Sequence, residues 1–260
     1  MNKYLIATNK TKKSIDFCSK FRSFLNKKGW KEDAKNYSHL FILGGDGAFV
    51  RNLQEYDTKN KKIYCINTGS VGFYSNIDSL NIETIFKQII NCKNYICPKV
   101  LEIKCDGQTY YSINECLIQS INTITLDIYI DRTHYEKYRG TGILIATRTG
   151  STAQAKSNGG PIIFPNVDAY EMLEIAPTNH IKHQCISSPV ILSGNTQLSF
   201  SNFIFNQRCD LIIDGIFIKS LSTNSNVSIK HINANFQFCF SEDIKKYISK
   251  LQATFINKHD

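Results

Sequence analysis

Up to Pro98 the chain alternates short apolar runs with apolar stripes at helical spacing. Tyr4 to Ala7 predicts a strand, and the helix after it would carry Ile15, Cys18, Phe21 and Leu25 on one face. Leu40 to Leu43 is a compact run ended by glycines, as a strand buried on both faces requires, and Phe49, Val50 and Leu53 then fall at helical spacing. Ile63 to Ile66 predicts another buried strand, leading into the turn Asn67 to Asn76. Ile82, Ile85, Phe86, Ile89 and Ile90 mark the next helix with a continuous stripe. Strands and helices in alternation predict a parallel sheet with flanking helices, whose ligands bind at the carboxyl ends of the strands.

Beyond Pro98 the pattern changes to short or alternating apolar runs separated by turn residues. They cover Val100 to Cys105, Tyr110 to Gln119, Ile124 to Ile130, Gly142 to Thr147, Val190 to Leu192, Leu198 to Phe205, Leu211 to Ile213 and Val227 to His231. Helical spacing returns only at Ile244, Tyr247, Ile248 and Leu251, with Ser241 as the expected N-cap and Glu242 and Asp243 in an acidic first turn. The expected organisation is an α/β domain over residues 1–98, a β-rich domain over 99–238 and a closing helix over 239–260. No long linker separates the first two, which predicts a shared interface.

Composition narrows the function classes. In 260 residues, 42% are hydrophobic, ample for a packed core, and the formal charge is +9. That charge favours anionic partners, although heavy use of Lys, Asn and Ile also fits A/T-rich coding. Lysines are scattered rather than gathered on a face with interleaved aromatics, so no nucleic acid is expected as a partner. Nine cysteines without a CxxC pair predict reduced thiols rather than a disulfide framework or zinc site. His180 and His183 lack a matching third ligand, so no metal-binding residues are assigned. With no spanning stretch and a polar N-terminus, no membrane is expected as a partner and the chain reads as cytoplasmic.

Candidate chemistry gathers in two places. In Ser38 to Leu53, SHLFILGGDGAFVRNL, a strand passes through Gly44, Gly45, Asp46 and Gly47 into a helix. Glycines let the backbone approach a ligand, and unpaired N–H groups at a helix start attract phosphate. A carboxylate there repels phosphate, so Asp46 needs a reason to be present, either holding Mg²⁺ or taking a proton from an attacking hydroxyl. The plain alternative is a tight turn with Asp46 gaining roughly 0.3–1 kcal/mol from the helix dipole. Gly69 and Gly72 in the next turn either shape the chain or line the same cleft.

The second place is Arg139 to Pro161, RGTGILIATRTGSTAQAKSNGGP, where Thr149 to Thr152 offers hydroxyls and backbone N–H groups beside the small Ala153 and Ala155. A surface loop explains the polarity but not the small residues. Asn114 and Glu115 interrupt the strand-like run Tyr111 to Ile118, and a buried carboxylate needs a partner. Ribose hydroxyls or Mg²⁺ would serve.

GGDG resembles the glycine turn shared by NAD kinases, diacylglycerol and sphingosine kinases and phosphofructokinases, which phosphorylate hydroxyls. GGDGAFV, NTGSVGFYSN, SINECLI, RGTGILIATRTGSTAQAKSNGGPII, ISSPVIL and DLIIDG together resemble, in order and spacing, the motif series of NAD kinases over nearly the whole chain. The resemblance implies an α/β N-terminal domain, a β-rich, β-sandwich-like C-terminal domain and a final helix returning to the first domain. It implies homotetramers built on dimers, with sites near the subunit interface. The implied reaction moves phosphate from ATP, or inorganic polyphosphate, to the 2′-hydroxyl of the adenosine ribose of NAD, assisted by Mg²⁺ or another divalent ion. By position, Asp46 would be the catalytic carboxylate, flanked by Gly45 and Gly47. Asn114 and Glu115 would hold adenosine and ribose hydroxyls. Arg139, Thr141, Thr149, Thr152, Ala153, Gln154 and Ser157 would line the dinucleotide site, Phe73 and Tyr74 would bound it, and Ala176 would approach from a neighbouring subunit.

Four positions depart from the family pattern: Ala48 stands for Thr, Thr141 for the Asp of GDG, Arg148 for Pro and Gln154 for Tyr. They leave two alternatives to the kinase reading: a dinucleotide-binding protein without turnover, and a lipid or sugar kinase sharing the glycine turn.

Overall fold

A computed structural model describes residues 2–9, 11–68, 72–75, 77, 81–93, 95–181, 183–239 and 243–256. The chain forms two compact units, residues 1–98 with 234–260, and residues 99–233.

In the first unit, β1 (Lys3–Thr8), α1 (Lys12–Lys27), β2 (Lys31–Glu32), β3 (His39–Leu43), α2 (Asp46–Glu55), β4 (Lys62–Ile66), α3 (Ile82–Ile90) and β5 (Tyr95–Ile96) follow one another. β1 lies between β2 and β3, and β4 beyond β3, all in parallel. Phe41, Leu43, Tyr64 and Ile66 share one buried cluster with Phe17, Cys18, Phe21 and Leu25 of α1 and Ile85 and Ile89 of α3. Their strand neighbours Leu40, Ile42, Ile63 and Cys65 point to the opposite face and are buried as well. Burial on both faces is why these strands read as unbroken apolar runs.

The inward stripe of α1 is centred differently from the expected one. Ser14, Phe17, Cys18, Phe21 and Leu25 are buried, while Ile15 is 47% exposed. Ile15 lies about 100° round the helix from Ser14, at the rim of the stripe. Ser14 can face inward because its hydroxyl meets that of Thr68 at 2.7 Å.

The second unit is built from β6 (Lys99–Cys105), β7 (Gln108–Ser112), β8 (Glu115–Ile130), β9 (Thr133–Thr147), α4 (Gln154–Ser157), β10 (Ala169–Ile175), β11 (Val190–Ser193), β12 (Gln197–Ile204), β13 (Cys209–Ile213), β14 (Ile216–Ser220) and β15 (Val227–Asn233). The strands run antiparallel in the order β11-β10-β9-β8-β12-β15-β6-β7, with β13 also paired to β8 and β14 to β13. The first part of β8 pairs with β13 and the last part with β12, the change falling at the bulge between Gln119 and Ile124. β10 is a strand that the apolar pattern did not predict, because Glu171 and Glu174 interrupt it. Among the described residues the core of this unit includes Leu101, Ile103, Ile118, Leu126, Ile145, Phe200 and Leu211. A smaller cluster joins Leu117, Leu144 and Leu173 under Ala155 of α4.

The chain re-enters the first unit at Ala234, earlier than the expected 239. The reason is β16 (Gln237–Cys239), which pairs in parallel with β4 and antiparallel with β5. It brings Cys239 beside Cys92, Cα atoms 6.6 Å apart, and the two form a disulfide, against the expectation of reduced thiols throughout. The other seven cysteines are thiols. α5 (Ile244–Leu251) is capped by Asp243, whose carboxylate accepts the Lys245 N–H at 2.8 Å. Ser241 and Glu242, expected as cap and first-turn acid, lie outside the described residues. Among the described residues no helix is long and apolar enough to cross a membrane.

Candidate active site

Strand β3 ends where Gly44 adopts φ +155°, and a Cβ there would lie 2.6 Å from that of Ala48. Glycine is therefore required at 44 by the chain itself. Gly45 and Gly47 differ, since a Cβ on either meets nothing within 4 Å. α2 begins at Asp46 with Gly45 as N-cap and no side-chain cap, which leaves the partial positive charge of its first turn uncompensated by a capping side chain.

The Asp46 carboxylate is itself held from across the turn. It accepts the N–H of Phe73 at 2.8 Å and of Tyr74 at 3.1 Å. Gly72 supports this contact, because a Cβ there would lie 2.7 Å from Asp46 Oδ1. Lys250 of α5 fixes the same segment from behind, donating to the Phe73 carbonyl at 3.1 Å and to the Ser75 carbonyl. Burial raises the pKa of Asp46, while the two N–H groups and Lys250 act in the opposite direction. A held carboxylate with a raised pKa suits a general base. Phe73 packs edge-on to Tyr247 and stacked on Phe255, both with centroids 5.9 Å away. The Tyr74 ring is buried against Phe49, so Tyr74 serves this site through its backbone. Gly69 lies outside the described residues.

In the second unit the organising group is Asp214, in the turn between β13 and β14. Its carboxylate accepts the Ser112 hydroxyl at 2.7 Å and the N–H groups of Ile113, Asn114 and Glu115 at 3.0, 2.9 and 3.1 Å. Three consecutive N–H groups converging on one side chain cannot also serve a ladder. The expected single run from Tyr110 to Gln119 is accordingly broken into β7 and β8, with Asn114 at the corner.

The threonine-rich loop docks on that corner. Thr147 N–H donates to the Asn114 carbonyl at 2.8 Å, and the hydroxyls of Thr147 and Thr149 donate to the Ile113 carbonyl at 2.6 and 2.9 Å. Gly150 packs on the Asn114 backbone, where a Cβ would collide. Thr152 donates its hydroxyl to the Thr149 carbonyl at 3.2 Å. The sequence-predicted Asn114, Glu115, Thr149 and Thr152 are thus brought together, with hydroxyls that shape the loop.

Glu115 supplies the charge. It is 7% exposed, Oε2 has no hydrogen-bond partner, and burial followed by repulsion from Asp214 pushes its pKa up to about 7. Ala146 pairs with Glu115 on one side and Glu171 on the other. Glu171 is fully buried, both its oxygens lack partners, and burial raises it to about 8.

Ala153 is half-buried, Gln154 and Ser157 are exposed, and the smallness of Ala155 is explained by packing under α4. Arg139 and Thr141 sit in the middle of β9; six residues at about 3.3 Å each put Thr141 roughly 20 Å along the strand from Thr147. There the Thr141 hydroxyl donates to the Ile175 carbonyl at 3.3 Å, next to Ala176 at φ +44°. Gly140 and Gly142 flank Thr141 for a structural reason, as the Tyr138 hydroxyl bonds back to Gly142 across this bulge. Asp214 and Lys250 were missed as individual residues. Asp214 lay within the motif DLIIDG, whereas Lys250 had no local signal.

Comparison with known proteins bears on this arrangement. The profile of the ATP-NAD kinase N-terminal domain matches residues 2–95, and that of the ATP-NAD kinase C-terminal domain matches residues 106–239. A protein of Mycoplasma genitalium called NAD kinase is 33% identical over 98% of this chain and 99% of its own length. One of Mycoplasmoides gallisepticum with the same name is 35% identical over 98% and 95%. The fold resembles that of a yeast NADH kinase complexed with NADH, with a TM-score of 0.83 at 18% identity over 100% of this chain and 89% of the other. It also resembles an NAD kinase from Archaeoglobus fulgidus in complex with ATP, with a TM-score of 0.75 at 20% identity over 97% and 99%.

Proposed function

Because the chain belongs to the NAD kinase family, we propose that it transfers the terminal phosphate of ATP to the 2′-hydroxyl of the adenosine ribose of NAD, giving NADP. The observation that carries this reading is the held carboxylate of Asp46 at the start of an uncapped helix. A phosphoryl acceptor must lose its proton as the new bond forms, and Asp46 takes it. Gly45 and Gly47, where the chain imposes no steric need for glycine, leave room for phosphates against the first turn of α2.

The corner held by Asp214 recognises the acceptor. Asn114 and the orphaned Oε2 of Glu115 hydrogen-bond adenosine and ribose hydroxyls, which relieves the cost of a buried unpaired oxygen. Thr149, Thr152, Ala153, Gln154 and Ser157 contribute the loop wall. Arg139 and Thr141 on β9, and Ala176 just after β10, lie too far from Thr149 to join it in one chain, so they act on the site of a second copy in a homo-oligomer.

ATP binds as its complex with Mg²⁺ or another divalent ion, which would neutralise charge on the phosphates. Asp46 keeps lone pairs beyond its two N–H bonds, and such an ion held mainly by phosphates and water needs only one or two protein carboxylates. Asp46 is the residue that fits that place.

The reading is tested with the purified protein by following NADP formation from NAD and NADPH formation from NADH, each with ATP or polyphosphate as donor. NADP appearing from NAD and ATP in the presence of Mg²⁺ supports it. NAD binding without NADP formation under any donor favours the non-catalytic alternative, and phosphorylation of a lipid or sugar in place of NAD favours the other.

A further inference from the structure

Far along β9 and β10 from the Asn114 corner, Glu136, Glu174 and Cys185 each bring a ligand atom within 4.8 Å of the other two. Two carboxylates and a thiol are not neighbours that a fold assembles without cost. Glu136 Oε2 accepts the Ile186 N–H at 3.3 Å, and Glu174 Oε2 accepts the Ser187 N–H at 2.8 Å. The second oxygen of each, Oε1, is sealed from solvent and has no hydrogen-bond partner. The Cys185 sulfur accepts the Arg139 N–H at 3.4 Å. Backbone donors hold each of the three groups, the Cys185 thiol also donates toward the Arg139 and Thr178 carbonyls at 3.6 and 3.9 Å, and one ligand atom of each residue lies within 4.8 Å of the other two.

We propose that these three residues bind a divalent ion of the zinc class. Zinc accepts sulfur and oxygen together, and Mg²⁺ does not favour thiolate. Tetrahedral bonds of about 2.0–2.3 Å place ligand atoms about 3.5 Å apart, so small side-chain rotations from the observed spacing close the site. Water completes the fourth position. A dication removes the repulsion between the carboxylates and satisfies both orphaned oxygens, where otherwise a shared proton must do so.

The consequence is a clamp on the connection between β10 and β11. Cys185 would be tied to Glu136 on β9 and Glu174 on β10, which fixes the segment that starts at Ala176 and the backbone at Arg139. This metal takes no part in the chemistry at Asp46.

The test is metal content and spectrum. Purified full-length protein is equilibrated with Zn²⁺, desalted and analysed by elemental mass spectrometry; a second sample is loaded with Co²⁺ and its absorption recorded. One zinc per chain and a near-ultraviolet thiolate-to-cobalt band are expected, with at least a tenfold loss of both in Cys185→Ser. Glu174→Gln, which keeps the thiol, is expected to lose stoichiometric zinc, and Zn²⁺ should raise the Tm of the unaltered protein but of neither variant. Glu136→Gln replaces either variant that does not fold. Absence of stoichiometric zinc in the unaltered protein, or equal zinc content in the folded variants, overturns the assignment.

Discussion

The N–H of Phe73 donates to the carboxylate of Asp46 at 2.8 Å. The residue before it, Gly72, faces the same carboxylate so closely that a Cβ would lie 2.7 Å from Oδ1. Gly72→Ala should therefore displace Asp46 without opening the core. Misplacing a reacting group by about 1 Å costs on the order of 10²-fold in rate. The expected outcome is a loss of that order in kcat, with Tm and the dissociation constant for NAD nearly unchanged, measured by initial rates, thermal unfolding and calorimetry.

Lys250 lowers the pKa of Asp46 against the larger effect of burial. If Asp46 acts as a base, turnover falls at low pH as Asp46 takes up a proton. Removing the lysine charge in Lys250→Met raises the pKa further, so the acid limb of the kcat/KM profile should move to higher pH. An unmoved acid limb would separate Asp46 from that limb.

Asp214 holds the Asn114 corner through four hydrogen bonds. Asp214→Ala leaves several donors without their charged acceptor, a loss of roughly 3 kcal/mol. Unfolding in urea should show a stability deficit of that size. The variant that remains folded should bind NAD more weakly, because Asn114 and Glu115 are no longer positioned. Unchanged stability and affinity would remove Asp214 from its positioning role.

Lys250 and Asp214 show where a sequence can be read and where it cannot. Leu40 to Leu43 and the glycine turn were legible because burial on both faces and a strand-to-helix junction are local properties. The support under the turn was not, since Lys250 reaches Phe73 from 177 residues away and Asp214 reaches Asn114 from 100. Ile15 was misplaced because a rim position and a core position differ by a fraction of a helical turn. β10 escaped notice because its two glutamates are held inside by the fold, against their own solvation. The Cys92–Cys239 pair, separated by 147 residues, is brought together only when β16 joins the sheet.

Glu171 gives a prediction about pH and stability. Fully buried without partners, it is raised from 4.5 to about 8 in the folded chain. Between those values the unfolded chain has lost the proton that the folded chain keeps. Stability due to Glu171 is therefore fully present below about pH 4.5 and is lost as the pH rises toward 8. Glu171→Gln should change stability little at pH 5 and raise it at pH 8, by an amount on the order of 1–3 kcal/mol in urea unfolding. Parallel stability profiles for the two proteins across this range would contradict the assignment.

The central claim is that Asp46 takes the proton from the 2′-hydroxyl of NAD. Its most direct test is the single-turnover rate of NADP formation by Asp46→Asn under saturating NAD and Mg²⁺-ATP, with NAD binding measured on the same sample. A positioned base contributes about 10²–10⁴-fold, so the rate should fall by that factor while NAD still binds and Tm is preserved. A rate equal to that of the unaltered protein would contradict the account.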